Sequence, residues 1–392
     1  MLCDHKPLQF KDKHDRFGTK GRNKRAIVKT IFSFDGGGVR GAISVAFLKR
    51  IEELMGTKGS DPLARRIDLA GGTSTGAIIA GALALGYSAA DIRDFYLDLA
   101  PRIFVKSRFR IPGLQSVFDG ARLKAEIMQV CGDRTLDSPD LLTGYALVMK
   151  RMDTGSAWIL SNNPKSKFWN DPADGSFRGN RHYRLADLIR ASTAAPHYFQ
   201  PEPMRVVETE PPGLFVDGGV TPHNNPSLAL LQLVTLPELG YSWPTGREKL
   251  RIVSVGTGSF RPRLSPQRAK SLPAAALAVR ALSGMIADAG NQTLLMMQAL
   301  GHAVQPWQIN SEIGDMAGFN LVDKPLFEFV RYDVVLEKDW LADHLGLRIS
   351  QSKVEELRQM DNPRVINLAY EIGEAAAEAQ VKLAHLPVKA QP

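Results

Sequence analysis

Two hydrophobic periods alternate along this chain. Residues 26–34, Ala-Ile-Val-Lys-Thr-Ile-Phe-Ser-Phe, are rich in β-branched and aromatic types and predict a strand. A glycine turn follows it. Over residues 42–55, Ile43, Phe47, Leu48, Ile51 and Leu54 recur at helical spacing and predict a helix. Residues 67–71 read as a short buried strand and residues 77–85 as a helix. Ser88 is placed to cap the next helix, with Asp91 in its first turn. Residues 145–151 and 157–161 flank Asp153-Thr154-Gly155 as a hairpin. The polar run 162–181 reads as a surface excursion, and residues 185–193 return to helix. Strands are predicted at 214–216, ending at Asp217, at 251–255, ending at Gly256-Thr257-Gly258, and at 327–336. Long helical patterns cover 274–301 and 367–384.

Strands that alternate with helices in this way predict an α/β fold, a three-layer sandwich with a mostly parallel central sheet and helices on both faces. No internal repeat and no linker divides the pattern. The expected organisation is one catalytic domain over 26–385, a basic arm at 1–25 and a short tail at 386–392.

One stretch imitates a membrane span. Residues 67–87 are largely apolar or small, about the ~20 residues a bilayer requires. Asp68 lies within the stretch, and the pattern splits into a strand, a sharp turn and a helix, so a buried α/β element is expected instead.

Composition changes the picture little, and charge changes it locally. The net charge is +8 over 392 residues. Residues 1–26 hold eight cations against three carboxylates, which is +5 of that total. An arm so basic and poor in apolar residues reads as disordered. A solvated tail is the plain reading, and contact with nucleic acid or an anionic membrane is the alternative. No zinc-finger, RNA-recognition or helix-turn-helix pattern accompanies the arm, so no specific nucleic-acid partner is expected. Cys3 and Cys131 make no disulfide framework and fit a reducing cytosol. Residues 1–10 contain no apolar core of a signal peptide. No His, Cys and carboxylate cluster has metal-ligand spacing, so neither a metal nor another cofactor is expected. Oligomeric state stays open.

The chemistry concentrates in three segments. Gly72-Thr73-Ser74-Thr75-Gly76 stands between a predicted strand and a predicted helix, where a nucleophile elbow would stand. Glycines at Gly72 and Gly76 permit the strained backbone, and the helix amides beyond Ser74 favour developing negative charge. Asp35-Gly36-Gly37-Gly38-Val39-Arg40-Gly41 follows a strand. Its glycines also fit a dinucleotide fingerprint. However, Glu52 and Glu53 fall in a predicted helix and Asp61 in a loop, where no ribose-binding acid belongs. Bare amides at Gly36, Gly37 and Gly38 suit an oxyanion hole better. Arg40 reads either as a cation supporting that hole or as a helix-packing side chain. Asp217-Gly218-Gly219 ends a predicted strand, which on its own could be a simple turn. His197, His302 and His344 are the candidates for a conventional triad base.

In order and spacing, these three segments resemble the patatin-like phospholipases. Ala191-Ser-Thr-Ala-Ala-Pro196, Tyr198-Phe-x-Pro201, Asn224-Asn225-Pro226 and Val255-Gly-Thr-Gly258 extend the resemblance over residues 28–260. Ile313-Gly314-Asp315 and Phe329-Val-Arg-Tyr-Asp333 are similar to bacterial members. The resemblance implies a patatin-like fold and a lipid acyl hydrolase that uses a Ser–Asp dyad in place of a triad. Ser74 is then the nucleophile, Asp217 the base, and Gly36, Gly37, Gly38 and Arg40 the oxyanion site. Acyl transfer on the same dyad, or lipid binding without catalysis, are the alternatives. It implies substrates among phospholipids, lysophospholipids, galactolipids and triacylglycerols, and no motif here selects one. Some bacterial members answer to cyclic nucleotides, which no motif here decides. Residues 102–110 interleave cations with apolar side chains, as an interfacial surface would. The Met- and Leu-rich helix over 277–300 reads as core, with a lid as the alternative.

Overall fold

The computed structural model describes residues 28–57, 59–104, 116–261 and 266–386. The expected basic arm, most of the 102–110 stretch and residues 387–392 lie outside the described residues.

Alternating burial builds the centre of the molecule. In β1, Lys29–Phe34, Ile31 joins one apolar cluster while Phe32 and Phe34 join another. Both faces of the strand are therefore covered, which explains its near-continuous apolar composition. A helix, α1 (Gly41–Met55), leads to β2 (Leu69–Thr73), and α2 (Thr75–Ala84) follows directly. The strand runs two residues further than the sequence pattern predicts, through Gly72 and Thr73 to the serine. Glycine at these positions hides the strand from a propensity argument. It is needed because a side chain at Gly71 would overlap Leu230, and one at Gly72 the Gly76 backbone. The apparent membrane span is thus a strand, a turn and a helix whose side chains are largely buried. Among the described residues, no helix is long and apolar enough to cross a membrane.

Ser88 and Asp91 form the reciprocal capping box of α3 (Ala89–Ile103). A fourth helix, α4 (Gly120–Cys131), is one the sequence pattern did not single out, and its Asp119 caps Ala121 N. The expected hairpin forms from β3 (Gly144–Arg151) and β4 (Ala157–Ser161). After the 162–181 excursion come α5 (Leu185–Ser192), β5 (Glu202–Met204), β6 (Gly213–Asp217) and α6 (Ser227–Thr235). The chain continues through β7 (Leu250–Val255), α7 (Pro266–Ser271) and α8 (Ala274–Leu300). Two further strands, β8 (His302–Gln305) and β9 (Glu328–Tyr332), precede α9 (Lys338–Leu345), α10 (Gln351–Leu357) and α11 (Ile366–Gln380).

The strand order is β5-β6-β3-β2-β1-β7-β9-β8, with β4 on β3. From β3 to β8 neighbours in this order run parallel, while β4, β5 and β6 are antiparallel to their partners. Residues of α1, α2, α3, α5 and α11 pack with one face, and residues of α6 and α8 with the other. The result is the three-layer α/β sandwich with a mostly parallel sheet. The order in which strands are added reverses about β1, whose parallel neighbours are β2 on one side and β7 on the other. Open α/β sheets bind ligands outside the carboxyl ends of strands at such a point. The glycine turn after β1 and the Gly256–Gly258 turn after β7 stand there.

Replacing Gly72 by alanine should be among the most destabilising single changes in the chain. The added methyl meets backbone at Gly76 and Ala77, which cannot rotate away as a side chain can. A loss at or above the about 1–3 kcal/mol usual for overpacking is expected in urea denaturation. Stability within about 0.5 kcal/mol of wild type would contradict this packing.

Candidate active site

Strand register brings the serine and the aspartate together. Thr73, the last residue of β2, pairs with Val148 of β3. The next residue, Met149, pairs with Asp217 at the end of β6. Because β4 pairs with Val148 and Met149 as well, it takes the other edge of β3. β2 and β6 therefore meet end to end along one edge, and Ser74 faces Asp217. Ser74 Oγ donates to Asp217 Oδ2 at 2.5 Å.

The elbow is strained and held. Ser74 has φ 55° and ψ −124°, a region that non-glycine residues rarely enter. Its N–H donates to Ser192 Oγ at 2.9 Å, and Ser192 Oγ donates to Val148 O at 2.6 Å. Ser74 O accepts from Ala77 N, and α2 begins at Thr75, immediately after the serine. The serine is half-buried and the aspartate is 4% exposed.

The glycine turn lies on the elbow. A Cβ on Gly36 would stand 3.2 Å from Ser74 Cβ, and Thr75 Oγ1 donates to Gly38 O at 3.0 Å. Tyr96 Oη also donates to Gly38 O. Gly36 is locked: its N–H donates to Asn224 O at 3.0 Å, and its carbonyl accepts from Asn224 Nδ2 and Thr257 Oγ1. No hydrogen bond among the described residues uses the amides of Gly37 or Gly38. Gly38 takes φ +58°, and Val39 N donates to Met360 O. Of the three glycines expected to donate, Gly36 is thus a strut, since its amide already has an acceptor.

Arg40 is buried and points elsewhere. Its Nη1 donates to Gly258 O at 3.0 Å, and its guanidinium lies over the Phe260 ring. Burial lowers its pKa to about 10, which still leaves it charged at neutral pH. The recorded contacts tie Arg40 to the turn after β7. They do not tie it to the Ser74–Asp217 pair.

None of the three candidate histidines bonds to Ser74 or Asp217. His302 opens β8, at the end of the sheet opposite the elbow. His344 stacks on Trp340 and bonds Trp340 O. His197 is exposed, with φ 74° and its ring against Tyr198. A further histidine, His223, contributes its main-chain carbonyl to Thr73 Oγ1. In the basic and apolar stretch, Arg102 pairs with Glu126 and Asp98, and Phe104 packs on Phe118 and Phe199. The long helix α8 divides: Leu294, Met297 and Ala299 are buried, whereas Leu277, Met285 and Ile286 are exposed.

Fold and site together define an α/β protein whose strained serine elbow faces a buried carboxylate. The family model for patatin-like phospholipase matches residues 32–231, and the chain belongs to that family. It is 30% identical over 230 residues to the cUMP-AMP-activated phospholipase of Escherichia coli, covering 59% of this chain and 65% of that protein. It is 29% identical over 255 residues to Patatin-like protein 4 of Arabidopsis thaliana, covering 59% of this chain and 60% of that protein. The matches therefore span less than two thirds of either relative. Human GIVD cytosolic phospholipase A2 aligns with a TM-score of 0.50 at 12% identity, over 92% of this chain and 59% of that one, a likeness of fold.

Several residues that shape the site went without a role in the sequence reading. Ser192, Asn224, Thr257 and Arg331 sit in motifs named above, whose sequence does not show their partners. Thr257, Arg331 and Met360 lie beyond the segment the family model matches.

Burial pushes the Asp217 carboxyl up to about 6, against the pull of the Ser74 hydroxyl, the Gly219 amide and Arg190. The folded protein thus favours the protonated form. Stability from this group falls as pH rises from the ordinary carboxylate range to about 6, and stays low above it. Asp217→Asn removes that penalty and should raise unfolding free energy at pH 8 by about 1–3 kcal/mol. The gain should shrink toward zero near pH 4. Urea denaturation of both proteins across this range checks it, and a difference independent of pH would refute the assignment.

Proposed function

We propose that this chain is a phospholipase A-type carboxylic ester hydrolase that works through a Ser74–Asp217 dyad. The hydrogen bond of 2.5 Å between Ser74 Oγ and Asp217 Oδ2 carries this reading. Asp217 takes the hydroxyl proton as Ser74 Oγ bonds to the acyl carbonyl carbon. Negative charge moves to the carbonyl oxygen, where the unengaged amides of Gly37 and Gly38 supply donors. Collapse breaks the ester bond, and the leaving alcohol or lysolipid takes the proton from Asp217. Water then repeats the sequence on the acyl-serine, giving its proton to Asp217 and releasing the fatty acid. Arg40 and Gly36 act as supports in this scheme, holding the turn from behind.

A lipid acyl ester as substrate is supported by family membership and by relatives named as phospholipases. A base near pKa 6 suits the task better than an ordinary carboxylate, because proton transfer is most efficient when donor and acceptor approach the working pH.

Fluorophosphonate labelling is the primary test, since an activated serine reacts and an ordinary one does not. Ser74→Ala should abolish labelling and ester hydrolysis. Asp217→Asn should lower kcat by several decades while keeping the circular dichroism of wild type. His197→Ala, His302→Ala and His344→Ala should retain substantial activity. Wild-type kcat/KM on a soluble ester should rise with pH through about 6, as Asp217 becomes the free base. A histidine variant that loses several decades of kcat with an intact fold would replace the dyad by a triad.

We infer peripheral contact with anionic membranes from the eight cations within residues 1–26. Each Lys or Arg near such a surface contributes about 1 kcal/mol, screened by salt. Deleting residues 1–25 should weaken binding to vesicles containing phosphatidylserine at low salt and leave soluble-ester hydrolysis unchanged. Binding that ignores both the deletion and added salt would reduce the arm to a solvated tail.

A further inference from the structure

A glycine turn cannot hold its own shape. Gly36, Gly37 and Gly38 have no side chains to pack, and glycine samples more backbone conformations than any other residue. Donors for an oxyanion must nevertheless stand within a few tenths of an ångström of their working positions. The restraint has to come from the ends of the turn.

One end is held by a buried guanidinium from a distant strand. Arg331 in β9 is 3% exposed. Its Nη1 donates to Asp35 Oδ1 at 3.1 Å and to Ser254 Oγ at 2.7 Å. Its Nη2 donates to Asp35 Oδ2 at 2.6 Å and to Asp333 Oδ2 at 2.7 Å. The grip on Asp35 is bidentate, so it fixes the plane of the carboxylate as well as its distance. Asp35 immediately precedes Gly36.

The same cluster reaches the neighbouring turn. Asp333 Oδ1 accepts from Gly258 N at 2.9 Å, while Arg40 donates to Gly258 O at 3.0 Å. The Gly258 residue is therefore held on both its N–H and its carbonyl. Thr257, next to it, donates to Gly36 O. Asp333 is itself fixed by Gln380 of α11, which bonds its main-chain N and O.

Stability alone does not account for this arrangement. Two carboxylates and two guanidiniums taken out of water carry a desolvation cost that apolar side chains of similar volume would avoid. What buried charges offer is a single allowed geometry. We propose that Arg331 is a positioning residue for catalysis: its bidentate hold on Asp35 sets the direction of the Gly37 and Gly38 amides. This inference rests on the acyl-serine reading given above. It adds a residue outside the segment that the family model matches.

The test uses the full chain, a soluble p-nitrophenyl ester, and kcat normalised to Ser74 sites counted by fluorophosphonate labelling carried to its end point. Arg331→Lys keeps the buried charge but cannot span both oxygens of Asp35. Its kcat per site should fall about 10–100-fold, the scale of a misplaced reacting group, with KM within threefold. A trifluoromethyl ketone, which forms an oxyanion adduct on serine, should lose affinity by the same factor as kcat/KM. Val330→Ala, a buried neighbour on the same strand, should lower Tm and leave kcat per site unchanged. Asp35→Asn provides a second variant that leaves Arg331 intact, and it should show the same joint loss of kcat and ketone affinity. Arg331→Lys with kcat within twofold of wild type overturns the proposal, as does a loss that Val330→Ala shares at equal Tm. A Ser74→Ala protein that still hydrolyses ester would instead refute the acyl-serine reading, whatever Arg331 does.

Discussion

Val148 pairs with Thr73, and Met149 pairs with Asp217. The meeting of Ser74 and Asp217 depends on this one step along β3. Because β4 fills the opposite edge, β2 and β6 must share the near one, and the last residue of each arrives at neighbouring positions. The step from Val148 to Met149 thus converts a sequence separation of 143 residues into a hydrogen bond of 2.5 Å. A slip of one residue in either strand would turn the serine or the aspartate to the opposite face.

Burial then sets the chemistry of the pair, with opposing consequences. A carboxylate at the sheet edge loses solvent, and its proton affinity rises to about 6. That makes the carboxylate hold a proton more tightly and makes it a less stable ion. The protein offsets part of the cost with the Gly219 amide and the Ser74 hydroxyl, each donating to one carboxylate oxygen. Asp35, just beyond β1, meets the same problem, where burial raises its carboxyl to about 6 despite Arg331 beside it.

Fold class was legible because α/β architecture writes itself in alternating periods. The strands at β1, β3 and β7 and the helices α1, α5 and α11 fall within a few residues of their expected places. What escaped did so for identifiable reasons. The end of β2 is Gly-Gly-Thr, whose strand character comes from packing against Leu230 and the elbow, not from propensity. Helix α4 opens with Asp119-Gly120, a pair that reads as a turn until Arg190 is seen bonding Gly120 O. At the site, the serine, the aspartate and the glycines were legible as candidates because they stand in short, spaced motifs. The division of labour among the glycines was not, since it depends on which amide Asn224 has already taken. The contact of Arg331 with Asp35 was least visible of all: both residues stand in segments the sequence marks, but 296 positions separate them and nothing in either segment names the other.

Ser192 shows how these constraints close on one another. Its hydroxyl donates to Val148 O and accepts from Ser74 N. The strained Ser74 is therefore tied to the strand whose next residue pairs with Asp217. Movement of the elbow away from β3 would break this bond before it lengthened the Ser74–Asp217 contact. On the other side, Asn224 links Gly36 to the loop that follows Asp217, so the glycine turn is tied to that end of β6 as well. Ser74, Asp217 and the glycine turn are thus referenced to a common frame, β3 and the loop beyond β6. Strain at Ser74 can persist because that frame holds it from more than one direction.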